Sequence, residues 1–302
     1  MKAICFDPST LDSQILGEVR SFIYFVLNKH MRRVDIMCAP DECFSREFIL
    51  NNWRFGPKAS NEVKGHGAAE KIDQPMTHTD LCEPYLRQIR MTTPYFECFD
   101  ALSELGGLKR VQGSKLTTVL KNEDAVRTIA TEPSGNMALQ LAGGLFIEEA
   151  LAGIGLNIKT QQRKNQLLAL IGSVLGTIST MDLKGASDGQ ARAMIHSAWP
   201  SEWVNFFEQT RSPSAKINGR DTHLGMLSTM GNGFTFPVMT LTILAIIYAV
   251  RRLRGGPKNW IDWRATAVYG DDIIVPTWEF DDVAAALENF GFTVNREKSF
   301  RD

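Results

Sequence analysis

Three carboxylates stand where the chain could gather them. Asp182 closes a β-prone run, Thr177–Leu183. Asp271 and Asp272 occupy the turn between two short runs, Arg264–Tyr269 and Ile273–Pro276. Carboxylates brought to one edge repel each other, and divalent cations relieve that repulsion. Hard oxygen ligands suit Mg²⁺ or Mn²⁺. Two such ions about 3.5–4 Å apart can clamp the attacking and leaving oxygens of an in-line phosphoryl transfer. Taken alone, Gly270-Asp271-Asp272 also reads as an exposed turn, since Gly-Asp dipeptides favour turns. Its apolar flanks, Ala265–Tyr269 and Ile273–Val275, place it on buried strands instead.

The elements that would position these residues follow from periodicity. Leu11–His30 carries Ile15, Val19, Phe22, Ile23, Val26 and Leu27 on one helical face. Lys115–Ala130 reads as two β-prone runs around a polar turn at Asn122-Glu123-Asp124. Helices are predicted over Met137–Ala152 and Gln162–Leu175. From Thr177 the order becomes strand, helices (Gly189–Ala198, Ser201–Gln209), a hairpin at Asn218-Gly219, a long apolar helix (Phe234–Arg254), two strands around Asp271, a helix (Asp281–Phe290) and a strand (Phe292–Asn295). Without the inserted hairpin this is the split βαβ, ferredoxin-like order, an α+β fold. Its first and third strands are neighbours, so Asp182 and the Asp271 turn can converge.

Composition sets limits. The 302 residues carry 33 Lys+Arg against 34 Asp+Glu, and 44% are hydrophobic, enough for a real core and against disorder. The net charge of −1 hides an asymmetry: from Asp271 onward eight acidic residues face three basic ones, so the body before them is basic. Cys5, Cys38, Cys43, Cys82 and Cys98 form no zinc-like spacing and read as free thiols of a reducing compartment. The N-terminus lacks a signal-peptide pattern. Val238–Val250 is apolar but short of the ~20 residues a membrane span needs, so a buried helix is expected and no membrane partner. Arg251-Arg252-Leu253-Arg254, with Lys258 and Arg264, fits either phosphate contacts or a basic cap on the long helix. Trp199, Trp203, Trp260 and Trp263 fit core packing better than base stacking.

Tyr269-Gly270-Asp271-Asp272 resembles motif C of viral RNA-dependent RNA polymerases. Asp182-Leu-Lys-Gly-Ala-Ser-Asp188 resembles motif A, and Met230-Gly231-Asn232-Gly233-Phe234-Thr235-Phe236 resembles motif B. Arg127 to Glu132-Pro133, with Asn136, resembles motif F. Gly291 to Asn295 and on through Lys298-Ser-Phe300 resembles motif D. The wording is similar to the replicases of single-stranded RNA bacteriophages, the leviviruses. Five motifs in order over Lys121–Phe300 carry the likeness; before them only Phe55-Gly56-Pro57 with Ala59-Ser60 does.

The resemblance implies roles. Asp182 and Asp271 would hold two Mg²⁺ ions, with Asp272 assisting and the Leu183 backbone carbonyl contributing. Asp188 would sit by the incoming ribose, where a polar group can test for the 2′-hydroxyl; read by itself, it caps a helix from Gly189. Gly231 and Gly233 would let a loop approach the nucleotide, with Ser228, Asn232 and Thr235 supplying hydrogen bonds. The position where many viral polymerases carry Asn, four residues after Thr235, is Met239 here. Lys121 and Arg127 would meet the triphosphate; without the motif they read as solvated charges. Lys298 matches the motif D general acid to pyrophosphate, or else is an exposed Lys beside Glu297.

The same resemblance implies a right-hand polymerase. Residues 1–176 would form fingers and an N-terminal helical region with motif F at 121–133. Residues 177–302 would form the palm with finger insertions, ending before motif E and the thumb. The implied activity is RNA-directed RNA synthesis from nucleoside triphosphates in the cytoplasm of an infected bacterium. The implied partners are template and product RNA, host elongation factors Tu and Ts, and a small-subunit ribosomal protein. A reverse transcriptase-like enzyme and a non-catalytic RNA-binding remnant are the alternatives.

Overall fold

A computed structural model describes residues 6–57, 59–63, 70–71, 74–93, 107–122 and 125–301, with only the backbone of 121, 122 and 125. Cys5 and Cys98 lie outside the described residues. The chain forms two compact units, neither continuous in sequence: Met1–Phe44 with Phe146–Val204 and Phe236–Asp302, and Ser45–Leu145 with Asn205–Thr235.

The first unit is built on a three-stranded antiparallel sheet. Asp272–Pro276 runs between Ile178–Met181 and Ala267–Tyr269. This is the expected neighbour relation of first and third strands. The predicted fourth strand, Phe292–Asn295, is not a strand. It contributes a single bridge, Leu183 with Val294, and Phe300 beyond it makes another with Thr180 of strand Ile178–Met181. The turn that carries Lys298 interrupts the ladder there, with Lys298 N–H bonded to the Asn295 carbonyl. The edge is still held in place by bonds from Lys184 N–H to the Thr293 carbonyl (2.8 Å) and from Thr180 N–H to the Phe300 carbonyl (2.9 Å).

Helix Ile158–Leu175 packs on this sheet through Leu168, which clusters with Ile178, Ala267 and Ile274. Asn157 caps its start through a side-chain bond to Lys159 N–H. Gly176 (φ +65°) closes it in the left-handed conformation that glycine adopts without penalty. The long apolar stretch forms helix Thr235–Leu253, the one described helix with the length and composition of a membrane span. It is buried nearly all round, as its even spread of apolar residues requires in a core helix. Tyr248 stacks on Phe22 of helix Ser13–Val34 at 4.2 Å. Trp199 and Trp203 are core residues, their ring N–H groups bonded to Thr242 Oγ1 and the Cys43 carbonyl.

The basic run ending the long helix is spent within the protein. Arg251 is buried and donates two hydrogen bonds to the Glu279 carboxylate (both 2.6 Å), and Arg252, Arg254 and Arg264 pair with Glu18, Asp282 and Asp262. Only Lys258 of that group makes no ion pair among the described residues, and it is exposed.

The second unit holds a four-stranded sheet in the order Ala125–Thr131, Ser114–Asn122, Ser214–Ile217, Arg220–His223. The two predicted hairpins form its halves and join by a short parallel pairing, Lys115 with Lys216. Gly113 is needed at this junction, because a Cβ there would overlap the Ser214 carbonyl. Helix Ser134–Ala152 begins here just after Pro133, which ends the preceding strand. Cys43 in the first unit and Cys82 in the second are buried free thiols. Burial pushes Cys43 up to about 12 and Cys82 upward too, so neither is a ready nucleophile.

Candidate active site

The residues singled out by sequence fall into two groups, one in each unit. In the first unit, Met181 pairs with Ile273 and Tyr269 with Asp272. Asp182, Asp271 and Asp272 therefore share one end of the sheet. Partial burial, then the charges of Asp271 and Asp182, hold the Asp272 carboxyl above its ordinary range. The turn is set by its surroundings. Gly270 adopts φ +62°, and a Cβ there would run into the Phe236 ring. Its N–H bonds Thr240 Oγ1 (3.2 Å). Tyr269 meets the same Phe236 ring edge-on at 4.8 Å.

Residues with no role in the sequence reading complete this corner. Asn295 Nδ2 donates to Asp182 Oδ2 (2.7 Å), and Asn295 N–H to the Asp182 carbonyl (2.8 Å). Asp182 N–H donates to Ser299 Oγ (3.1 Å). Behind the turn, Gln161 donates to Asn165, which donates to the Asp272 carbonyl (3.0 Å). Asn295 was visible as part of the motif D wording; Asn165 left no signal beyond an amide on a helix. Leu183 is buried beside the Val294 bridge. Lys298 is exposed, forms no ion pair among the described residues, and shares the Asn295 turn. Asp188 does not cap a helix. It lies inside the short turn Ala186–Gly189, and the next helix, Arg192–Ala198, has Ala191 at its cap. Burial raises its carboxyl.

Among the described residues no three His, Cys, Asp or Glu side chains stand close enough together to hold a metal ion. One Asp182 oxygen is taken by Asn295. The donor chemistry still fits a hard divalent cation: all three groups are carboxylates, and burial together with the charges of Asp271 and Asp182 disfavours the charged form of Asp272, a penalty that a cation removes.

In the second unit, Arg127 is exposed on strand Ala125–Thr131, opposite Val119. Lys121 is the extra residue of a β-bulge between Leu120 and Asn122; its side chain lies outside the described residues. The motif B glycines are required by the protein's own backbone. A Cβ on Gly231 (φ +115°) would strike the Ala130 carbonyl, and one on Gly233 would lie 2.8 Å from Leu141 N. Ser228 and Thr235 are buried against each other, hydroxyls 2.7 Å apart. Asn232 is 8% exposed; its Oδ1 accepts from Phe234 N–H, and its Nδ2 has no partner among the described residues. It is the motif B residue with a donor to spare.

A buried network fixes this loop. Glu132, whose carboxyl burial pushes upward, accepts from Ser212 (2.7 Å) and Gln140 (3.1 Å). Gln140 Oε1 in turn accepts from Gly233 N–H (3.1 Å). Asn136 Nδ2 bonds Thr79 Oγ1 and the Thr210 carbonyl. Glu132 and Asn136 of motif F therefore work inside the fold.

Comparison with known proteins agrees. The family model of the RNA replicase beta-chain matches residues 27–302. The RNA-directed RNA polymerase beta chain of Escherichia phage MS2 is 34% identical over 221 residues, 73% of this chain and 37% of that protein. Its counterpart in Enterobacteria phage GA is 34% identical over 257 residues, 83% of this chain and 47% of that one. The chain thus spans between about a third and a half of the length of these relatives. A solved chain from the genome and RNA polymerase complex inside a double-stranded RNA virus matches 95% of this chain and 28% of its own. The TM-score is 0.55 at 12% identity, a likeness of fold. With five motifs in order and the family model spanning nearly the whole sequence, this chain belongs to the RNA replicase beta-chain family.

Proposed function

We propose that this chain carries the polymerising centre of a phage RNA replicase. It adds nucleotides from nucleoside triphosphates to a growing RNA 3′ end on an RNA template and releases pyrophosphate. The observation that carries the reading is the grouping of Asp182, Asp271 and Asp272 at one end of the sheet. The architecture we assign is a right hand. Residues 177–302 are the palm with finger insertions, and 1–176 the fingers and N-terminal helical region. The ferredoxin-like strand order supports the palm assignment.

Asp182, Asp271 and Asp272, with the Leu183 carbonyl, would hold Mg²⁺, or Mn²⁺ in its place. Bound there, such ions lower the charge on the reacting phosphate and on the attacking and leaving oxygens. The chain's own residues do the positioning. Asn295 and Ser299 fix Asp182, while Thr240 and Asn165 fix the Asp271 turn. Arg127 and Lys121 offset triphosphate charge. Asn232 offers its spare donor to the nucleotide, held by the loop that Gly231, Gly233, Ser228 and Thr235 shape. Asp188 tests the ribose. Lys298 gives a proton to the departing pyrophosphate oxygen. The relatives are beta chains, which supports an assembly of several subunits. Elongation factors Tu and Ts and a ribosomal protein are the proposed host partners, in the cytoplasm of the infected cell.

The test is template-directed incorporation by this chain, alone and within the longest reading frame that contains it. Ribonucleotides with Mg²⁺ should be incorporated, and Asp271→Ala should reduce the rate by at least about a thousandfold. Preference for deoxyribonucleotides would identify a reverse transcriptase. RNA binding without incorporation in either form would identify a remnant.

A further inference from the structure

A cavity of about 440 Å³ opens in the first unit, away from Asp182, Asp271 and Asp272; Asp262 and Glu279, both paired with arginines, are among its lining residues. Ile178 and Pro276, which line it, pair at one end of the central strands; Met181 and Ile273 pair at the other. That length of strand separates the cavity from the aspartate corner by about 10 Å.

Trp260 and Trp278 line the cavity yet remain 46% and 63% exposed. The Arg254 guanidinium lies 5.3 Å from the Trp278 ring centroid and steadies that ring. Arg251, 8% exposed, also lines the cavity. Its Nε and Nη2 are taken by Glu279 and Thr266, but its Nη1 is buried with no acceptor among the described residues. A buried guanidinium nitrogen left unpaired is costly, so an acceptor arriving there is favoured. Beside the lining residue Pro257 stands Lys258, exposed and with no ion pair among the described residues, while Arg252, Arg254 and Arg264 are each neutralised by a carboxylate.

Two aromatic faces call for a flat ligand. A recessed donor calls for an acceptor on that ligand's edge. An exposed, unpaired cation next in the chain to the lining residue Pro257 calls for an anion beside it. A base with its phosphate answers all three. We infer that this cavity takes an unpaired base of single-stranded RNA, stacked on Trp278 or Trp260, with its acceptor edge on Arg251 Nη1 and its phosphate on Lys258. This rests on the reading that RNA is the chain's substrate, and adds a second RNA contact outside the reacting centre.

The test uses the whole chain and a single-stranded RNA hexamer containing 4-thiouridine. Tryptophan fluorescence should be quenched on binding, and photo-crosslinks should map to peptides containing Trp260 or Trp278. Trp278→Ala should weaken hexamer binding about tenfold. Ala265→Phe, which fills the cavity, should remove the crosslink. Lys258→Ala should lower the slope of log affinity against log salt by about 0.7. Trp278 and Lys258 are exposed, so those two variants carry the test even if Ala265→Phe does not fold. Crosslinks confined to other segments, with affinity unchanged in Trp278→Ala, would overturn the inference. So would a protein partner that shields Trp278 where RNA does not. Asp271→Asn should leave the crosslink intact. Synthesis without the crosslink sinks this site alone; the crosslink without synthesis sinks the polymerase reading alone.

Discussion

Two hairpins of this molecule reverse direction with two residues each, by different means. At Asn218-Gly219 both residues have positive φ (50° and 81°), the type I′ geometry that matches strand twist. Strand Arg220–His223 is exposed throughout, and a Cβ on Gly219 would meet nothing. At Gly270-Asp271 only the glycine has positive φ, and its flanking strands are mostly buried. Phe236 fills the space where a Cβ would go, Thr240 takes the glycine N–H, and Asn165 holds the Asp272 carbonyl. The first turn is made by its own residues. The second is made by two other helices, Thr235–Leu253 and Ile158–Leu175, so the position of its two carboxylates is fixed from outside. A turn that must present charge in one place needs that external support.

The contrast can be broken by substitution. Gly270→Ala combines left-handed strain with overlap on Phe236 and should cost about 3 kcal/mol or more, read as a lowered melting temperature. Phe236→Leu should recover part of that loss in a double-mutant cycle. If Gly270→Ala costs no more than Gly219→Ala, packing does not set this turn. Asn165→Ala removes a bond to the Asp272 carbonyl and should cost about 1–2 kcal/mol, measured by the urea midpoint. Gly219→Ala meets strain without overlap and should cost about 1 kcal/mol.

The smallest effect has the opposite sign. Asp272 is raised by burial and by Asp271 and Asp182, so its charge opposes folding above its folded-state pKa, and relief comes as pH falls through that value. Asp272→Asn should therefore raise the melting temperature slightly at neutral pH in metal-free buffer. Its advantage should shrink as the pH is lowered. Mg²⁺ should stabilise the parent chain more than this variant. Asp221→Asn, on the exposed hairpin, should change neither reading.

Much of this was legible in the sequence, because it is local. Alternation and turn residues placed both hairpins, and the apolar run Val238–Val250 placed a core helix. What was hidden is the cross-chain work of amides and hydroxyls. Asn295 on Asp182, Asn165 on Asp272 and Gln140 on Gly233 join positions about a hundred residues apart, and no period or spacing marks such partners. Arg251, Arg252 and Arg254 fitted either phosphate contacts or a basic helix cap; their carboxylate partners, Glu279, Glu18 and Asp282, lie elsewhere in the chain. Phe292–Asn295 had the composition of a strand but pairs only at isolated points, because the Lys298 turn breaks its ladder.

The parallel pairing of Lys115 with Lys216 joins segments made about a hundred residues apart. At ribosomal speeds of about 5–20 residues per second, strand Ser114–Asn122 waits roughly 5–20 s for its neighbour to be synthesised. During that time one edge of its hairpin is open to any passing strand. Production of this chain should therefore depend on translation rate and on chaperones that cover nascent β-edges.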